Sequence, residues 1–265
     1  MRDWAQAGKQ FILIVRYANE ETSNGSGGCP ITDQYLPTWE MARIPHFCDR
    51  GTGGIIPDYF DATFQADLQA FVQAIATHVA SSPYPDHLTY VCIGVGLSGE
   101  GFYLKYDQNG FDSAKAHLVA WGYSPLAWKN WQETMLTSFH KAFSYSTVIY
   151  PIVQLDNDPT TGDPVQMEVA YWVAAHGMGV GAQGLVPNYP NIKDILAYIL
   201  AHYPQTYIQF QTVSGIPGPR VIQRDIQTAS QLGARSIEWY EGDATNPDYR
   251  PLFLRWQQMV NQNFD

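Results

Sequence analysis

Glu100 stands at the end of an apolar run, framed by Gly99 and Gly101, in the stretch YVCIGVGLSGEGFY (residues 90–103). A glutamate between two residues without side chains leaves room for a substrate beside its carboxyl, and a carboxyl so placed can give or take a proton. A second group of acids lies far along the chain in SIEWYEGD, as Glu238, Glu241 and Asp243. Two carboxyls facing one bond can divide the work of acid and base between them. Gly94, Gly96 and Gly99 also have the G-x-G-x-x-G spacing of a dinucleotide turn. That motif needs a helix to start inside the turn and an acid at the end of the next strand. Here EGFYLKYDQNGFD follows, aromatic, polar and interrupted by glycine, and reads as a loop. Glu100 therefore reads as a carboxylate delivered by a strand.

The elements that position it alternate. FILIVRYA (residues 11–18) is a continuous apolar, β-branched run, the pattern of a strand covered on both faces. Residues 19–57 read as one long loop rich in Gly and Pro, with no convincing strand. Apolar residues at spacings of three and four then predict a helix over 61–79. Strands follow at 88–97, 147–155, 179–185, 207–213 and 236–241. Helices follow at Ser124-Pro125 onward, from Asp163-Pro164 to Gly177, from a capping Asn191, over 220–232 up to Gly233, and over 251–264. No hairpin signal appears. Strand and helix in alternation imply a parallel sheet with helices outside, either a (β/α)8 (TIM) barrel or an open doubly wound sheet. No low-complexity linker divides the chain, so residues 1–265 are expected to form a single domain.

Composition narrows the partners. The formal charge is −10 and no Lys/Arg cluster stands out, which argues against nucleic acid and anionic membrane surfaces. No apolar run approaches the roughly 20 residues of a membrane span. MRDWAQAGKQ lacks the apolar core of a signal peptide, so the chain reads as cytoplasmic or as a fragment of a secreted protein. Aromatics make up 14% of residues, and several, among them Trp39, Tyr103 and Trp121, fall in segments that read as loops, where rings can stack on sugars. Cys29 and Cys48 lie in one loop and can pair in an oxidising compartment, while Cys92 lies in an apolar strand. A zinc site from Cys29, His46 and Cys48 lacks an evident fourth ligand. The acids of LDNDPTTGD lack the spacing of a calcium loop. No metal and no cofactor is expected.

With FILIVRYANE…LPTW, a helix, and then YVCIGVGLSGEG on the page, the chain resembles the clan A retaining glycoside hydrolases, especially the β-galactosidase-like families. The resemblance covers roughly residues 1–105 by motif and the rest by strand order. It implies a strand ending in Arg16, a loop carrying Pro-x-Trp with Trp39, and a fourth strand ending in the acid/base, Glu100. Gly99 stands where most members have Asn. It further implies a carbohydrate substrate, cleavage of a β-glycosidic bond (β-galactosidase- or β-glucosidase-like) and a nucleophile at the end of the seventh strand.

That strand, YIQFQTV, offers Gln209 and Gln211 and no acid. An amide cannot form a glycosyl ester. Three readings follow: a Glu→Gln change, a protein that binds sugar without cleaving it, or a partner carboxyl on the next strand. Glu238 is the preferred partner, with Ser236 and Tyr240 expected on its face, and Glu241 is next. The plainer alternative pairs Glu238 with an arginine such as Arg16. The catalytic pair is thus Glu100 and Glu238, and the sugar-binding set is Arg16, Trp39, Tyr103, Gln154, Gln183, Gln211, Trp239 and Glu241. Only six strands are found where a closed barrel has eight. The first two βα units of the resemblance have no counterpart, so an incomplete barrel and a homodimer covering its open side are expected.

Overall fold

The computed structural model describes residues 6–17, 36–48, 54–94, 96, 111–153, 164–183, 190–212 and 218–264. It falls into two compact units, one of residues 1–150 and 155–169, the other of residues 151–154 and 170–265.

In the first unit, β1 (Phe11–Val15) pairs in parallel with β4 (Leu88–Ile93), and β4 pairs in parallel with β5 (Thr147–Val153). Leu13, Val91 and Val148 form one cross-strand row, and Ile14, Cys92 and Ile149 the next. Both faces are apolar, as the uninterrupted runs imply. Between β1 and β4 lie α1 (Thr38–Met41) and a two-stranded antiparallel ribbon of β2 (His46–Cys48) and β3 (Ile55–Pro57). The ribbon corrects the expectation of a loop without strands or hairpins. Its strands have three residues each, too few for a period-two pattern. Burial of Phe47, Ile55 and Ile56 holds them in place.

Helix α2 (Ala62–Ala80) starts where Asp61 accepts hydrogen bonds from the N–H groups of Thr63 and Phe64, at 2.8 and 2.9 Å. It buries Phe64, Leu68, Val72, Ala76 and Val79 along one stripe. Helix α3 (Phe111–Ala120) is an addition to the expected elements. FDSAKAHLVA has no repeating apolar stripe, and of its last five residues only Leu118 is buried. Ser124 caps α4 (Pro125–Ala142), with Pro125 as its first residue, as the Ser-Pro signal predicts. The indoles of Trp128 and Trp131 stack at 5.3 Å and 5°, and Tyr59 meets both edge-on. Tyr150, on β5, donates its hydroxyl to Gln132 in the core at 2.8 Å.

Helix α5 (Pro164–Ala175) runs from the first unit into the second and ends at Gly177, which takes a left-handed φ of 75°. In the second unit, β6 (Gly179–Gln183), β7 (Ile208–Gln211) and β8 (Ser236–Glu238) pair in parallel and in chain order. The helices between them are α6 (Pro190–His202) and α7 (Pro219–Gln231). Pro190 opens α6, so Asn191 is not its cap. After β8 come α8 (Glu241–Ala244) and α9 (Arg250–Phe264). The strand ends at Glu238, so Tyr240 and Glu241 lie beyond it, and Tyr240 is exposed.

Among the described residues, six parallel strands, with neighbours in chain order and helices between them, make an α/β fold of the (β/α)8-barrel type. A doubly wound sheet reverses strand order at a switch point. Neither unit contains such a reversal.

Gly233 ends α7 with φ of 65°, and a Cβ there would lie 3.1 Å from Leu200 of α6. Left-handed backbone costs an L-residue roughly 1–2 kcal/mol. Gly233→Ala is therefore expected to lower unfolding stability by at least that much, read as a shift in the urea midpoint. An unchanged midpoint would show that the turn relaxes freely.

Candidate active site

In the second unit the strands sort their side chains by alternation. Val180 and Ile208 are register partners, as are Ala182, Phe210 and Ile237, and all but the half-buried Ile237 are buried. The other face carries Gln209 and Ser236 and then Gln211 and Glu238; Gly181 and Gln183 are the backbone register partners of the two glutamines, which gives a second row of Gln183, Gln211 and Glu238. The second row consists of the last residue of each strand. It therefore lies at the C-terminal edge, where (β/α) barrels carry their chemistry. The polar face comes from period two in I-Q-F-Q, which puts an amide on one side and an apolar residue on the other.

Local hydrogen bonds hold the row. The carbonyl of Glu238 accepts from the backbone N–H of Thr212 at 3.0 Å and from the Thr212 hydroxyl at 3.2 Å. Gln209 is almost fully buried and donates its amide to the carbonyl of Phe210 at 2.8 Å. Gln211 and Glu238 are half-buried and sit on adjacent strands, whose backbones in any sheet are about 4.8 Å apart. At the opposite end of the same strands, burial pushes the Tyr207 phenol up. A hydrogen bond with Ser236 and the Arg235 guanidinium work the other way. That guanidinium lies 5.8 Å over the Tyr207 ring, so this end braces the fold.

The remaining expected residues separate. Trp239 follows the row directly and is half-buried, its ring 4.9 Å from Phe253 of α9. Glu241 is the first residue of α8. In the first unit, Arg16 directly follows β1 and is exposed. Trp39 of α1 is 58% exposed, with the Arg43 guanidinium 5.8 Å from its ring. Glu100, Tyr103 and Gln154 lie outside the described residues.

Beside Trp39 is a carboxyl that the sequence reading missed. Glu40 is 3% exposed, and among the described residues no N–H or O–H group donates to either of its oxygens. It faces Asp67 of α2, and Arg43 bridges the two, 2.6 Å from Asp67 and 3.8 Å from Glu40. Burial, then the hydrogen bond and charge of Asp67, push the Glu40 carboxyl up to about 7; Arg43 opposes this and Asp61 adds to it. Glu40 and Asp67 are 27 positions apart, so nothing in their spacing signals the pair.

Cys48 is disulfide-bonded and Cys92 is buried outside any disulfide; Cys29, the third cysteine of the chain, lies outside the described residues. A bonded sulfur is no thiolate ligand, which removes the zinc arrangement of Cys29, His46 and Cys48. Among the described residues no group of three or more His, Cys, Asp or Glu side chains is placed to hold a metal, and no helix is long and apolar enough to cross a membrane.

No family model matches the chain, and no curated protein matches it. A solved structure titled the catalytic core of xylanase A is similar to it with a TM-score of 0.42 and 14% identity, over 73% of this chain and 66% of that one. A likeness of that size says nothing of substrate or mechanism.

Alkylation with iodoacetamide after unfolding, without reductant, is expected to modify Cys92 and leave Cys48 unlabelled until dithiothreitol is added. Peptide mass spectrometry reads the difference. Labelling of Cys48 before reduction would contradict the bond.

Proposed function

We propose that the chain is a glycoside hydrolase of the (β/α)-barrel type that cleaves a β-glycosidic bond by a retaining route. The observation that carries this reading is the row of Gln183, Gln211 and Glu238 at the C-terminal edge of three adjacent strands. A half-buried carboxylate beside amides suits a sugar, because amides both donate to and accept from hydroxyls. In this reading Glu238 attacks the anomeric carbon while Glu100 protonates the departing oxygen. Glu100 then takes a proton from water, which attacks the anomeric carbon and releases Glu238. Trp39, Tyr103 and Trp239 supply stacking faces, and Arg16, Gln154, Gln183, Gln211 and Glu241 bind hydroxyls. Glu100→Gln is expected to lower turnover of poor leaving groups far more than that of activated aryl glycosides, since only the former need protonation. Equal loss on both would remove Glu100 from the acid role.

A second reading has its own support. Gln211 ends β7, where the resemblance expects a nucleophile, and an amide there fits a barrel that binds carbohydrate without cleaving it. A panel of nitrophenyl glycosides separates the two: turnover above background with any sugar eliminates the binding-only protein. If Glu238 is the nucleophile, Glu238→Gln abolishes turnover and Gln211→Glu does not raise it. If Gln211 replaces a former nucleophile, Gln211→Glu creates activity and Glu238→Gln has little effect.

The open edge of β1 supports self-association. Among the described residues β1 pairs with β4 alone, and Ile12 and Ile14 remain 38% and 39% exposed. A bare, apolar edge strand templates further pairing. A homodimer that covers this edge is expected in sedimentation velocity at micromolar concentration. A stable monomer would refute it.

A further inference from the structure

Glu40 and Asp67 have no part in the chemistry proposed above, yet buried Glu40, next in sequence to the exposed Trp39, shares the Arg43 guanidinium with half-buried Asp67. Two ionised carboxylates only accept hydrogen bonds, so they cannot bond to each other. One proton changes this: a protonated carboxyl donates to its ionised neighbour, and such charge-assisted bonds are strong. The geometry indicates where the proton goes. Arg43 lies 2.6 Å from Asp67 and 3.8 Å from Glu40, and the Asp67 side chain is the less buried of the two acids. Asp67 therefore keeps the charge and Glu40 takes the proton.

We propose that Glu40 and Asp67 form a one-proton latch that holds the Trp39 segment against α2, closed while the pair shares a proton and loosened when both acids ionise. The charged groups acting on Glu40 are Arg43 from its own segment and Asp61 and Asp67 from the α2 side. With both acids ionised, Glu40 meets the charges of Asp67 and Asp61 against one guanidinium, and it gains by turning toward water. Little resists that turn: α1 is a single turn of four residues whose N-cap, Pro37, offers no side-chain hydrogen bond. Leu36, Met41 and Ile44 stay buried as anchors, so the change is confined to the turn that carries Trp39.

The sign follows from linkage. The folded Glu40 carboxyl titrates near 7, against an ordinary value of 4.5. The folded state holds the proton more tightly, so the latch contribution is fully present below the ordinary value and is lost as pH rises through about 7. Glu40 is thus a positioning residue acting through Trp39. Its effect on sugar affinity rests on the function proposed above, whereas the latch itself does not.

The test is fluorine NMR of the full chain labelled with 5-fluorotryptophan, with the Trp39 resonance assigned by Trp39→Phe, titrated from pH 5 to 9. The Trp39 resonance is expected to shift with a midpoint near 7 in the wild type. Glu40→Gln, which keeps a donor toward Asp67 at every pH, should abolish the shift. Asp67→Asn should lower the midpoint by about one pH unit or more. A flat wild-type resonance overturns the latch. So does a midpoint that survives Glu40→Gln, which would assign the titration to another group. If Glu40→Gln does not fold, carbon-13 labelling of the glutamate carboxyls in the wild type decides: one carboxyl titrating near 7 and moved by Asp67→Asn supports the latch, and none above 6 refutes it. Wild-type sugar binding measured at pH 6 and 8 separates the two claims. No binding at either pH sinks the proposed function while leaving the Trp39 titration standing.

Discussion

Register between β7 and β8 is the constraint on which the candidate site depends. Gln211 lies beside Glu238 because the strands pair as Gln209 with Ser236, Phe210 with Ile237 and Gln211 with Glu238. A slip of one residue would turn Glu238 toward the helices and Ile237 toward the polar face. That slip is costly, since Ile237 would leave the apolar side, where its register partner Phe210 is buried, for the polar one. The twofold acceptance by the Glu238 carbonyl from Thr212 locks the same alignment one residue further on. The apolar packing that stabilises the unit is thus what aims the carboxylate.

The polar face also constrains what can sit on it. Gln209 occupies a nearly closed position and satisfies its amide on a backbone carbonyl, which is how a buried polar group avoids a desolvation cost. Gln211 and Glu238, one row nearer the edge, are half-buried. The outer row is thus the more accessible of the two, and the inner one holds its glutamine on the backbone.

Much of this architecture was legible in the sequence, because the signals that carry it are local. Asp61 and Ser124-Pro125 start helices by giving acceptors to orphaned N–H groups, and Gly177 and Gly233 end them by taking left-handed backbone. The six parallel strands are dense apolar or alternating runs, readable from side chains alone. The ribbon of β2 and β3 escaped because three residues carry no period, and α3 because FDSAKAHLVA shows no stripe. Glu238 was legible as a carboxylate set within an apolar strand. The pairing of Glu40 with Asp67 was not, since it exists only once α1 packs on α2. Glu100, Tyr103 and Gln154 lie outside the described residues, so for them the sequence remains the whole of the account.

Cys92 carries a consequence for how the chain matures. It sits on β4 in register between Ile14 and Ile149, and its thiol is shielded only after three strands have come together. Three cysteines allow three pairings, and two of them would consume Cys92. In an oxidising compartment, native product therefore depends on a race between strand assembly and thiol exchange. A chain oxidised early would trap Cys92 in a wrong bridge and leave β4 without its place in the sheet. Recovery of folded material should track the timing of oxidation more closely than the final redox potential, and replacing Cys92 by a small apolar residue would take that hazard out of the folding route.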